Sequence, residues 1–147
     1  MLHFEGDKDF PKPPAEVGAK LSDARFLVEC VPEGEPVGTP EPATATARLR
    51  PKIAFVRGTL EVTLRVVEAV PASSVRLAIH SKSIGASADV EAALSLTPQG
   101  SGTRVHWAAD VVNLGGLLKL VPQGLIRGAA QNVINNLWAQ VEAKLGV

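Results

Sequence analysis

Hydrophobic and polar positions alternate along most of this chain and switch to a longer period only near its end. Leu2, Phe4 and Gly6 alternate with His3, Glu5 and Asp7, which predicts a strand over residues 1–10. Pro11, Pro13 and Pro14 stop it. Proline suits the first helical turn, so Pro13-Pro14 opens a predicted helix running through Leu21. Ser22-Asp23 offers a cap for a second short helix from Ala24 to about Cys30, closed by Pro32. Residues 33–43, with three prolines and two glycines, are turn chemistry with room for one short edge strand.

Strand patterns then follow in series. Residues 44–50 alternate Ala45, Ala47 and Leu49 with Thr46, Arg48 and Arg50. Residues 53–68 carry Leu60, Val62, Leu64 and Val66 on one face and Glu61, Thr63 and Arg65 on the other. A turn at Pro71-Ala72-Ser73 leads to a strand over 75–83, with Val75, Leu77 and Ile79 opposite Arg76, His80 and Lys82. Ile84-Gly85 is a tight connection into 86–97, where Ala88, Val90, Ala92, Leu94 and Leu96 share a face. Gln99-Gly100-Ser101-Gly102 is a hairpin turn. The strand over 104–111 follows and ends at Gly115-Gly116.

The last segment reads differently. Residues 117–145 form one amphipathic run, predicted as a single long helix. Leu118, Leu125, Ala129, Val133, Leu137 and Val141 recur in it mostly at four-residue spacing. Pro122 predicts a kink, or the start of the regular part. Gly128-Ala129-Ala130 leaves room for another surface to approach. A long helix closing an antiparallel sheet lays its apolar side across that sheet. The fold class is therefore α+β: a curved sheet of six or seven strands, two short helices after the first strand, and a long terminal helix. The inward residues Ala45, Ala47, Ala86, Ala88, Ala92 and Ala109 are small, and the volume they leave is filled by the helix or available to a ligand.

Composition narrows the function classes. At 147 residues the expectation is one domain, 1–147, with one core. Net charge is zero and only 4% of residues are aromatic, with no tyrosine, which argues against nucleic-acid binding. Cys30 stands alone, so neither an internal disulfide nor a cysteine zinc site is expected. No secretory signal or membrane-spanning stretch is legible, and the expected location is the cytoplasm. No phosphate loop, nucleophile elbow or His-x-x-x-His spacing occurs. No metal site or cofactor is expected. His3, His80 and His106 fall on charged, outward-facing sides of strands. Asp110 is the one acid worth weighing for catalysis. Asn132 and Asn136 read as solvent-facing or as polar contacts for a ligand, and Trp107 and Trp138 as core or pocket wall.

The order of elements resembles the START-like, polyketide-cyclase helix-grip superfamily. Within it the chain is similar to the carbon monoxide dehydrogenase G-subunit family. Phe4-Glu5-Gly6 with Pro11-Lys12-Pro13-Pro14, then Leu21-Ser22-Asp23 through Cys30-Val31-Pro32, resemble its first half. Gly115-Gly116-Leu117 through Ile126-Arg127-Gly128-Ala129-Ala130 resembles its closing helix. Departures are Gly18 where the family has an aromatic residue, Ala24 in place of a proline, and Glu33 inserted before Gly34. Some members carry a proline-rich tail and a membrane-anchoring helix; this sequence ends at Val147 with neither, so no tether is expected.

The resemblance implies an apolar-ligand pocket between sheet and terminal helix, binding a lipid or quinone-like molecule. It also implies an accessory role toward a molybdenum-containing dehydrogenase, with peripheral association at the inner membrane face as an extension of a cytoplasmic location. The candidate lining is Val62, Leu64, Leu77, Ile79, Val90, Leu94, Trp107, Ala109, Leu125, Ala129 and Val133, with residues 115–123 as a lid. Two alternatives stand beside this: a partner-docking accessory subunit with a closed cavity, and a cyclase- or dehydratase-like enzyme. Catalytic residues are not assigned. The oligomeric expectation is monomer, or dimer through an exposed edge near 33–43.

Overall fold

The computed structural model describes residues 2–50 and 58–145. Seven strands form one antiparallel, curved sheet: β1 (Leu2–Phe10), β2 (Glu35–Val37), β3 (Thr44–Leu49), β4 (Leu60–Val70), β5 (Ser74–Ser83), β6 (Ala86–Gln99) and β7 (Gly102–Gly116). Their order across the sheet is β1-β7-β6-β5-β4-β3-β2, so only β1 leaves its place in sequence, crossing to pair with β7. Two short helices, α1 (Pro14–Leu21) and α2 (Ala24–Glu29), follow β1. A 3₁₀ turn at Leu117–Leu120 leads into α3 (Gln123–Lys144).

The local chemistry explains the boundaries. Pro14 opens α1 and its missing N–H costs nothing there. The Asp23 carboxylate accepts the Arg25 backbone N–H at 2.9 Å and caps α2. Ser22, the other cap candidate, turns back and donates to the Gly18 carbonyl at 2.7 Å. The start of the strand expected over 53–68 lies outside the described residues; Gly58, at φ +70°, precedes β4, which runs on to Val70. β7 is longer than the expected 104–111 and reaches Gly116. There φ is +61°, and a side chain would collide with the Gly85 carbonyl oxygen, so glycine is required.

The terminal segment is two pieces rather than one kinked helix. Pro122 sits at the N-cap of α3 in an extended conformation, and the 3₁₀ turn stands apart before it. Proline can neither donate inside a helix nor let its predecessor stay helical, so the regular part starts after it.

The packed face of α3 also differs from the four-residue stripe. Ile126, Trp138, Val141 and Leu145 are buried, with Ala130, Ile134 and Leu137 packed beside them. Leu125 and Val133 are 58% and 51% exposed. Each step of four residues overshoots a full turn by about 40°, so Leu125 and Val141 lie about 160° apart around the axis. Gly128 meets nothing within 4 Å of where a side chain would start, so the close approach expected there is absent.

Side-chain alternation divides the sheet into two faces. The convex face carries cross-strand charge pairs: His3 with Asp110, Asp7 with His106, Asp9 with Arg104, His80 with Asp89 and Arg48 with Glu61. The concave face is apolar and is partly covered by the helices. α1 contacts β5, β6 and β7, α2 contacts β2, β3 and β4, and α3 approaches β1. Trp138 of α3 lies between Phe10 and Trp107, with ring centroids 6.3 and 6.1 Å away. Each such aromatic pair adds about 0.5–1.5 kcal/mol beyond burial. Gly6 makes room for this cluster, because a side chain there would meet the Trp107 ring at 3.1 Å.

Candidate functional site

Strand register sorts the concave face into rows that run across the sheet. Val75, Leu94, Trp107 and Gly6 form one row on the strands that, β1 apart, α1 contacts. Val66, Leu77, Ala92, Ala109 and Phe4 form the next. Ala45, Leu64, Ile79, Val90, Val111 and Leu2 follow, and then Ala47, Val62, Ser81, Ala88 and Leu114.

Exposure rises along this series. Val75, Leu94 and Trp107 are buried at 2, 5 and 7%. Ile79 and Val90 are half-buried, as are Val62, Ser81, Ala88 and Leu114. The middle strands thus carry an apolar trough that deepens toward the helix-covered end and opens toward the other. Alanine at 86, 88 and 92 keeps its floor low.

The eight strand residues expected to line a pocket all share this concave face. Leu64, Leu77, Leu94, Trp107 and Ala109 lie buried at its base, and Val62, Ile79 and Val90 line its half-open part. Ala129 on α3 is half-buried. Around the axis of α3, Arg127, Trp138 and Glu142 hold one flank to β1. The Arg127 guanidinium lies 5.2 Å over the Phe4 ring, and Glu142 pairs with Lys8 at 3.1 Å. Leu125, Ala129 and Val133 occupy the opposite flank, turned away from β1. Ile134, Leu137 and Leu114 also pack half-buried against the core, and of the two on α3 only Ile134 falls outside the four-residue pattern. The mixed three- and four-residue spacing of Ile134, Leu137, Trp138 and Val141 was the signal for it.

Two depressions mark the described surface. One, about 270 Å³, lies where Leu2, Val111 and Leu114 meet Gln123 at the start of α3. It sits at the open end of the concave face. The other, about 310 Å³, lies at the opposite end beside Phe10, Gln99 and Thr103, away from the trough.

Titratable chemistry sits elsewhere. Asp110 lies on the convex face and accepts a 2.6 Å hydrogen bond from His3 Nδ1. Glu5 and Asp110 hold the protonated form of His3 and raise its pKa above the ordinary histidine value. The hydrogen bond with His80, seconded by Asn113, keeps the Asp89 carboxyl below the usual range, and Arg104 does the same for Asp9. Burial pushes the Cys30 thiol up to about 11, which leaves it protonated and unreactive at neutral pH. Thr103, the one fully buried polar side chain described, donates to the Lys12 carbonyl at 2.7 Å. Among the described residues, no group of three or more His, Cys, Asp or Glu is placed to hold a metal ion. No described helix is long and apolar enough to cross a membrane.

The fold is shared with solved structures across nearly the whole chain. A conserved protein from Geobacillus kaustophilus superposes with a TM-score of 0.83 at 20% identity, over 98% of this chain and 95% of that one. A START superfamily protein from Mycobacterium smegmatis superposes at 0.66 with 12% identity, over 97% and 96% of the two chains. A protein from Chromobacterium violaceum gives 0.61 at 16% identity, over 95% and 97%. No curated protein matches the sequence. The family model for the carbon monoxide dehydrogenase G subunit, CoxG, matches residues 6–146, and with the START-like fold and these spacings the chain belongs to that family.

Proposed function

We propose that this chain, acting as one domain, binds an apolar small molecule of the lipid or quinone kind in the trough between β4–β6 and α3. The observation that carries the reading is the half-exposed apolar patch Val62, Ile79 and Val90 on two adjacent rows, together with the apolar flank Leu125, Ala129 and Val133 of α3. That flank is turned away from β1, and Leu125 and Val133 on it are exposed and free to meet a ligand. A ligand burying about 200 Å² of apolar surface there gains about 5 kcal/mol before the cost of association. Ser81 is the polar group on the floor available to orient a headgroup.

Family membership supports an accessory role toward a molybdenum-containing dehydrogenase. The cytoplasm, with its inner membrane face, is the proposed location. The enzymatic alternative needs an acid–base pair in the trough, and the pairs described above face the other side of the sheet. Native mass spectrometry after gentle purification tests the reading. A retained apolar adduct supports it, and a bare chain that also takes up no added quinone contradicts it.

A further inference from the structure

The two edges of the sheet differ. β2 is three residues long with Pro36 at its centre, and a short edge strand interrupted by proline offers little to pair with. β1 is nine residues long and ladders on one side only, with β7. In an antiparallel ladder, alternate residues point both backbone groups away from the partner strand. From α3, Arg127 donates to the His3 carbonyl at 3.4 Å, which marks His3 as one of the outward residues. Glu5, Asp7 and Asp9 share its phase, so their N–H and C=O groups also point outward. Among the described residues, no turn or loop backbone bonds to them. Their side chains are exposed on the convex face.

This edge is acidic. Glu5, Asp7, Asp9 and, across the ladder, Asp110 stand among one arginine, Arg104, and two histidines, His3 and His106. Glu5 and Asp110 share His3 between them. Lys8, the one lysine of β1, falls on the concave side and is paired with Glu142 at 3.1 Å. A second copy of β1 fits this edge poorly. Antiparallel self-pairing about a two-fold centred on Glu5, Gly6 or Asp7 sets Glu5 against Glu5, Glu5 against Asp7, or Asp7 against Asp7. The charges that exclude a second copy admit a strand of opposite sign.

We propose that the outer edge of β1 takes up an extended basic segment of a partner protein by strand addition. The added backbone pairs with Glu5, Asp7 and Asp9, and its lysine or arginine side chains face their carboxylates. The main-chain bonds hold the segment and the acidic row selects it. The edge lies outside the trough, and its use does not depend on a bound ligand.

Amide hydrogen exchange of the full chain, read by nuclear magnetic resonance, tests the proposal. The probe is a nine-residue peptide, the length of β1, with lysine at alternate positions and threonine or valine between. In excess it slows exchange of the Glu5, Asp7 and Asp9 amides roughly tenfold or more, and less so at high salt. The same peptide with glutamate for lysine has no effect. Glu5→Lys/Asp7→Lys reverses this preference and keeps the wild-type circular dichroism. Asp7→Asn keeps the outward N–H and most of the protection. Asp7→Pro removes that N–H without touching the β7 ladder, and protection at Glu5 and Asp9 is lost. Should the proline variant not fold, the charge-reversed pair decides. A lysine peptide that leaves the three amides unprotected overturns the proposal, whatever side-chain signals it shifts. So does equal protection by the two peptides. Protection that grows with protein concentration in the absence of peptide overturns it as well, and makes a second copy the occupant.

Discussion

At the end of the concave face that α1 covers, Val75, Leu94, Leu96 and Val105 are buried, as are Val17 and Leu21 of α1. At the other end of the same strands, Val62, Ile79, Ala88 and Val90 stay half-exposed. Alternation is equally good at both ends, so strand pattern does not decide which half becomes core. The supply of covering elements does. α1 lies over the first half, α2 over the β2–β4 side of the sheet, and α3 is held to the β1 edge by Trp138, Arg127 and Glu142. The middle strands keep a half-exposed apolar floor. In a domain of this size that is a costly arrangement unless something else covers the floor.

The contrast breaks most severely at Trp138. Trp138→Ala removes the ring between Phe10 and Trp107 and is expected to cost about 3–5 kcal/mol, read as a shift in urea midpoint. A change below about 1 kcal/mol would mean that α3 is held by something other than the aromatic cluster. Adding bulk sharpens the contrast. Gly102→Ala, at the sealed end, drives a side chain into the Phe10 carbonyl and is expected to cost about 1–3 kcal/mol. Ala88→Val, in the trough, is expected to stay within about 0.5 kcal/mol of wild type and to weaken uptake of an apolar ligand. Equal penalties at the two sites would erase the distinction between the two ends.

The smallest effect belongs to the convex face. Glu5 and Asp110 raise the pKa of His3, so its contribution to stability is complete below the unfolded value, about 6.5, and is lost as pH rises through the folded value. Nuclear magnetic resonance should place the His3 midpoint above the ordinary histidine value. His3→Asn should flatten the corresponding part of the pH–stability curve. An ordinary midpoint would show that the His3–Asp110 and His3–Glu5 bonds are not maintained in solution.

Most of the fold was legible because its signals are local. Period-two alternation and the prolines at 11, 13 and 14 located β1 and α1, and Asp23 located the start of α2. The strand residues of the trough were legible for the same reason, since register follows from alternation once neighbours are known. The helix was harder. A repeat of strictly four residues winds around the axis, so Leu125 and Val133 were grouped with Val141 although they lie on another flank. Pro122 was ambiguous between kink and cap until the 3₁₀ turn before it was seen. The free edge of β1 was illegible, because it depends on the sheet order, which alternation within a strand does not carry.

The most direct test of the central claim is a titration of wild type and Ala129→Trp with a neutral apolar fluorophore such as N-phenyl-1-naphthylamine. The added indole occupies the trough from the α3 flank while leaving the buried contacts of Trp138 in place. The account predicts saturable uptake by the wild type and its loss in the variant, with both chains equally folded by circular dichroism. Equal uptake by the two folded chains, or none by the wild type, would contradict it.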